Sequence, residues 1–260
     1  MRGHFGEWLQ GTVEGRVVLV TVPAPLEARV ERLGDGPLEA PGLPDPAAFL
    51  AALGLPARGR YRLSLDMPPG GGAGASTASL LALAEAAGAR AAPAALAAAC
   101  RAAEGAVDPL MLPEPDACLW APREARAIRA LPAPPPACIV GGFWGPAART
   151  DPADDAFPEV SDLLPLWEGA VRTGDLVTCA AVACTSAART TAMRGPDGDP
   201  TPDVAMRLGA LGWLRAHTGS ARALVFAPRA VPEGAEAMLR EAGYAGTVRF
   251  ETGPRRRTAA

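Results

Sequence analysis

Residues 68–78 read PPGGGAGASTA and run without a break into the apolar segment 79–87, SLLALAEAA. Four of the eleven loop residues are glycine, which reaches backbone conformations closed to other residues and lets successive N–H groups turn inward. A helix opening directly behind the loop adds the positive end of its dipole at the same place. These residues alone fit two readings: a cradle for an anion such as phosphate, or a flexible turn whose hydroxyls, Ser76 and Thr77, cap the helix.

Residues 60–66 (RYRLSLD) place Tyr61, Leu63 and Leu65 on one face and Arg60, Arg62 and Ser64 on the other. This alternation predicts a half-exposed strand that delivers the chain into the loop. Further upstream, 17–22 (VVLVTV) predicts a buried strand, 26–32 its partner, and the Pro- and Gly-rich 34–46 a surface loop. Downstream, 77–87 predicts a buried helix closed by Gly88, and 93–104 a second helix opened by Pro93, with Glu104 and Asp108 at its end. After the Pro-rich 131–136, a strand is expected at 137–142, then helices at 162–173, 175–189 and 203–216. A strand at 223–227, a helix at 231–243 and a strand at 247–252 complete the pattern. This irregular order predicts an α+β fold rather than a doubly wound parallel sheet, in two parts, 1–133 and 134–260.

Composition narrows the chemistry. The chain contains no lysine, so all 25 basic residues are arginine. A Walker-type lysine, a Schiff base and a pyridoxal anchor are therefore excluded. The cysteines (100, 118, 138, 179 and 184) are odd in number and lack C-x-x-C spacing, which predicts buried thiols rather than disulfides or a zinc site. With only two histidines, any metal is expected to be oxygen-bound, as Mg²⁺ is. The net charge of −3 is scattered, so no nucleic-acid surface is expected, and the arginines at 255–257 read as a solvated tail. No stretch approaches the ~20 apolar residues of a membrane span, and residues 1–11 lack the apolar core of a secretory signal. The expectation is a cytoplasmic protein without a membrane partner.

The segment Pro68-x-x-x-Gly72-x-Gly74-Ala75-Ser76-Thr77-Ala78 resembles the second motif of the GHMP kinases, whose glycine loop covers the phosphates of ATP without a Walker lysine. Ala75 stands where that family usually has the first of two hydroxyls. The resemblance implies that Pro69, Gly70, Gly71, Gly72, Ala73, Gly74, Ala75, Ser76 and Thr77 hold ATP, and that Ser76 also binds Mg²⁺. Residues 3–11 (GHFGEWLQG) are similar to the first motif of one branch, the L-threonine kinases of cobalamin synthesis and propanediol utilisation, through Gly6, Glu7, Gln10 and Gly11. The usual Pro-Gly ahead of that core is absent. Gly6, Glu7 and Gln10 are thereby implied at the substrate.

Residues 104–112 (EGAVDPLML) resemble the segment that brings an acidic residue to the substrate hydroxyl. Asp108 is implied as catalytic, and Glu104 as joining Ser76 around Mg²⁺. Residues 216–226 resemble the third motif, with His217, Thr218, Gly219 and Ser220 at the substrate. Arg149 is a candidate to hold a substrate carboxylate, and Ser186 lies in a segment, TSAARTT, that is similar to one of the family but departs from it at Arg189. The resemblance spans nearly the whole chain. It implies a GHMP kinase fold, with an N-terminal half like the second domain of ribosomal protein S5 and a ferredoxin-like C-terminal half. It also implies ATP and Mg²⁺ as cofactors, and phosphorylation of L-threonine to its O-3-phosphate for the nucleotide loop of cobalamin. Homoserine or another hydroxylated metabolite, and a nucleotide-binding module without catalysis, stand as alternatives.

Overall fold

In a computed structural model, which describes residues 1–253, the N-terminal motif is a strand. The arginine run at 255–257 lies outside the described residues. Strand β1 (Arg2–Val13) pairs antiparallel with β2 (Arg16–Pro37) across a two-residue turn, in which Glu14 and Gly15 both take positive φ (51° and 74°). Such a turn matches the twist of the strands that it joins. The glycines at 3, 6 and 11 hide β1 from a periodicity reading, and its register shifts three times between Arg2 and Leu9.

β2 runs through both predicted strands and into the predicted loop at 34–46, because its second half pairs with β3 (Arg58–Leu65). The alternation in β3 is as expected at its core, with Tyr61 buried and Arg60, Arg62 and Ser64 exposed. At the end of the predicted loop begins α1 (Pro46–Ala52), capped by the Asp45 side chain, which accepts from the Ala48 N–H at 3.0 Å. The glycine loop leads into α2 (Ala75–Ala86), followed by α3 (Pro93–Glu104) and the hairpin β4 (Cys118–Ala121) and β5 (Arg126–Ala130).

The C-terminal part contains β6 (Cys138–Phe143), α4 (Leu164–Thr173), α5 (Leu176–Arg194), α6 (Thr201–Arg207), β7 (Gly212–Arg215), β8 (Ala221–Phe226), α7 (Ala235–Glu241) and β9 (Ala245–Glu251). The predicted helix at 203–216 is corrected. Its second half is β7, because Gly209 turns the chain at φ +64° and Trp213 and Leu214 then gain sheet partners on β8. The order β7-β8-β6-β9 is that of a ferredoxin-like split β-α-β unit. One antiparallel contact, Glu7 opposite Arg215, joins it to β1 and makes a continuous sheet.

Phe5 and Trp8 of β1 share a buried cluster with Trp167 of α4 and Leu214 of β7, so a common core spans the junction. A second cluster, with Phe49, Leu80, Leu83 and Trp120, fills the space between α1–α3 and the N-terminal strands. Helix α5 departs from the expectation that no segment suits a membrane: its 19 residues are long and apolar enough by length and composition. It packs against β1, β7 and α4 with Cys179, Ala180, Val182 and Ala183 buried, as a core helix does. The cysteines are free thiols, four of them buried, as expected.

Candidate active site

The glycine loop forms one wall of a cavity of about 520 Å³ at the junction of the two parts. Gly70, Gly72 and Gly74 take φ of +73°, +77° and +70°, a region where a side chain is strained. At Gly72 and Gly74 space forbids a side chain as well. A Cβ on Gly72 would lie 2.2 Å from Ala216 Cβ and 2.3 Å from Thr218 O, and one on Gly74 would lie 2.6 Å from His4 Cδ2. Gly74 is the N-cap of α2 and supplies no side-chain cap. The first N–H groups of the helix therefore face the cavity mouth without that competitor.

The third motif closes onto this loop through backbone. The Ser220 and Ala221 N–H groups both donate to Gly71 O, at 3.0 and 2.7 Å. A Cβ on Gly219 would come within 2.5 Å of Gly72 N. Gly71, Ala73, Gly219 and Ser220 thus brace the walls rather than line the cavity, and Ala73 O accepts the His4 N–H at 3.2 Å.

At the start of α2, the Ser76 hydroxyl donates to Glu104 Oε2 and the Thr77 hydroxyl to Glu104 Oε1, the latter at 2.6 Å. Thr77 Oγ1 also accepts the Asp108 N–H at 3.2 Å, which fixes the turn after α3. Burial pushes Glu104 up to about 8, an effect that the two hydroxyl hydrogen bonds reduce and the nearby Asp108 reinforces. A cation would relieve that burial. No group of three or more His, Cys, Asp or Glu arranged for a metal occurs among the described residues. Ser76 and Glu104 nonetheless make an oxygen-only pair suited to Mg²⁺, which commonly takes one or two protein ligands and completes its shell from phosphate and water.

His4 is a site residue that the sequence reading missed. Its ring is buried, with Nε2 3.2 Å from Asp108 Oδ2 and Nδ1 3.8 Å from Glu7 Oε1. Burial would lower this imidazole, but the charge and hydrogen bond of Asp108 and the charge of Glu7 carry it up to about 9. Burial raises Glu7 to about 8 against the pull of His4. Asp108 and Glu7 thus favour the protonated imidazole, a cation beside Asp108 in a chain without lysine.

The opposite wall carries His217, whose N–H donates to Glu7 Oε2 at 2.6 Å and whose ring stacks on Phe157 at 3.7 Å. Arg194 covers the Phe157 ring at 4.2 Å and pairs with Asp154. Burial, and then Arg123, Arg194 and Arg215, hold His217 well below its ordinary range, so the ring is neutral. Thr218 and Arg149 also line the cavity, with Arg149 exposed and the Thr218 and Thr150 hydroxyls 2.7 Å apart. Leu43, Pro44 and Leu65 give the cavity an apolar side.

Four expected substrate contacts, Gly6, Gln10, Gly219 and Ser220, are absent from the cavity wall. Gln10 is fully enclosed and its side-chain amide donates to Arg215 O at 2.9 Å, while Ser186 bridges the Gln10 backbone from α5. Gly6 allows β1 to approach β7, since a Cβ there would meet Leu214 Cδ1 at 2.8 Å. Gly6 and Gln10 support Glu7, the residue of that motif that does reach the cavity. Arg189 pairs with Asp162, away from the site.

No family model matches the chain, and no curated protein matches it. Solved structures do. Mevalonate kinase from L. major, in complex with R-mevalonate, is similar at 14% identity over 100% of this chain and 97% of its own, with a TM-score of 0.65. Homoserine kinase from Cytophaga hutchinsonii aligns at 14% identity over 97% of this chain and 93% of its own, TM-score 0.59. A 4-(cytidine 5'-diphospho)-2C-methyl-D-erythritol kinase aligns at 18% identity over 97% and 98%, TM-score 0.55. The chain therefore has the α+β fold of the GHMP kinases, as the sequence motifs lead one to expect.

Proposed function

We propose that the protein is an ATP-dependent small-molecule kinase of the GHMP type that phosphorylates the side-chain hydroxyl of L-threonine. The observation that carries the kinase reading is the convergence of the glycine loop, the uncapped α2 N-terminus, the Ser76–Glu104 pair and the His4–Asp108 pair on one cavity. Threonine as the acceptor, and a cytoplasmic setting with a place in cobalamin synthesis, rest on the likeness of residues 3–11 and 216–226 to that branch. Homoserine kinases among the similar structures make homoserine the competing acceptor.

The chain's own residues divide the work. Backbone N–H groups at the cavity-lining positions 70, 72 and 74–77 bind and orient phosphate oxygens, and the helix dipole opposes their charge. Ser76 and Glu104 hold Mg²⁺, which when bound neutralises phosphate charge. Asp108, oriented by His4, accepts the proton of the substrate hydroxyl at its carboxylate as the oxygen attacks the terminal phosphorus. Protonated His4 holds Asp108 as the carboxylate before transfer and stays a cation while the accepted proton neutralises its neighbour.

The test is to incubate the purified protein with MgATP and L-threonine, homoserine or mevalonate, and to measure ADP and phosphorylated product. ADP formed with threonine alone supports the assignment. Turnover of homoserine alone moves the substrate within the same class, and tight ATP binding without turnover on any alcohol leaves a nucleotide-binding module.

A further inference from the structure

One corner of the cavity holds polar groups that the kinase mechanism does not use. Arg123 follows β4 in the hairpin turn, and its guanidinium is already half-anchored: Nε donates to Pro152 O at 3.1 Å and Nη2 to Asp154 O. Its Nη1 is buried at the cavity wall without a hydrogen-bond partner among the described residues. Both ring nitrogens of His217 are likewise buried and unpaired on the same cavity. A native chain rarely leaves buried polar atoms unsatisfied, so this set is open to ordered water or to a polar ligand group. Asp154, the first of the neighbouring acids, is engaged by Arg194 through both carboxylate oxygens.

The position of this corner is fixed relative to Asp108. The Val107 N–H donates to Pro122 O at 3.0 Å, and the Trp120 indole N–H donates to Val107 O at 2.6 Å. Asp108 and Arg123 each follow a residue of this clamp directly, so their backbones are tied together, and both residues line the cavity. A planar guanidinium with a free donor suits a carboxylate.

We infer that the acceptor is a small hydroxy acid whose carboxylate is received by Arg123 Nη1 and His217 while its hydroxyl faces Asp108. This inference rests on the kinase reading for the role of Asp108, and it assigns to Arg123 the function that sequence alone suggests for the exposed Arg149.

Binding tests it apart from catalysis. With MgADP present, the protein is titrated calorimetrically with L-2-aminobutyrate, which is threonine without the hydroxyl, and with its carboxamide, L-2-aminobutanamide. The acid binds and the amide binds at least about 10-fold more weakly. Arg123→Gln weakens the acid by about 10- to 100-fold, the range for loss of a charge-assisted hydrogen bond, and Arg123→Lys recovers part of it. Arg189 pairs with Asp162 away from the site, and Arg189→Ala stays within about twofold. MgADP affinity, unchanged in each variant, reports that the fold is intact; should Arg123→Gln lose it, the acid-to-amide ratio of the unaltered protein and Arg123→Lys decide. Equal binding of acid and amide, no binding of the acid, or loss on Arg149→Ala in place of Arg123→Gln overturns the inference. Failure of phosphoryl transfer with acid binding intact would instead remove the kinase reading and leave the carboxylate site standing.

Discussion

Replacing Gly72 by alanine isolates the contact between the glycine loop and the third motif, because the chain supplies its own control. Gly72 and Gly88 both have φ of +77°. An added Cβ at Gly88 meets nothing within 4 Å, whereas at Gly72 it meets Ala216 Cβ at 2.2 Å and Thr218 O at 2.3 Å. Each alanine incurs the left-handed backbone cost of about 1–2 kcal/mol, partly offset in both by a stiffer unfolded chain of about 0.4–1 kcal/mol. Only Gly72→Ala adds overpacking, about 1–3 kcal/mol, since the atoms that it strikes are a β-carbon and a backbone oxygen with no rotamer to give. Gly72→Ala is therefore expected to be less stable than Gly88→Ala by about 1–3 kcal/mol, read from urea midpoints at equal slope. It should also lose nucleotide affinity, because Gly71 O can no longer receive Ser220 and Ala221 undisturbed. Equal midpoints for the two variants would refute the close approach of the loops.

Asp108→Asn should lower turnover by about 10²-fold or more with substrate affinity largely retained, as loss of a proton acceptor does; near-normal turnover in steady-state assays would reduce Asp108 to a positioning group. Glu104, Glu7 and His4 are all raised above their ordinary values, to about 8, 8 and 9, so the folded chain binds more protons than the unfolded chain across that window. Their contribution to stability is full at low pH and is lost as pH rises toward 8–9. Glu104→Gln should flatten part of this decline between pH 5 and 8.5, and a urea midpoint that climbs over the same interval in the parent protein would contradict it. Because Mg²⁺ needs Glu104 ionised, the thermal shift produced by Mg²⁺ with ADP should grow from pH 6 to pH 8.5 and be largely lost in Ser76→Ala and Glu104→Gln. An undiminished shift in both variants would place the metal elsewhere.

Much of the fold was legible because its signals are local. The alternation in 60–66 became β3, the Pro93 start opened α3, and the glycine loop before an apolar segment became the entrance to α2. Elements whose partners are distant escaped. β1 is interrupted by glycines that serve its approach to the glycine loop and β7, and the short β7 becomes a strand only when β8 and β1 pair with it. The site followed the same rule. Ser76, Glu104 and Asp108 sit in recognisable motifs, and the structure brings them together. His4 reads as an ordinary residue beside Glu7 until Asp108, far away in sequence, comes within 3.2 Å. Arg123 lies in a turn with no motif at all, and only the hairpin contact with Val107 brings it to the cavity. The absence of lysine was the one available hint, since it requires other cations at a phosphate site.

Product analysis with MgATP and L-threonine tests the central claim most directly. The account predicts ADP and O-phosphothreonine in equal amounts, followed by ³¹P NMR, with both abolished by omission of Mg²⁺ and strongly reduced in Asp108→Asn. Saturable ATP binding with no ADP formed in the presence of threonine, homoserine or mevalonate would contradict it.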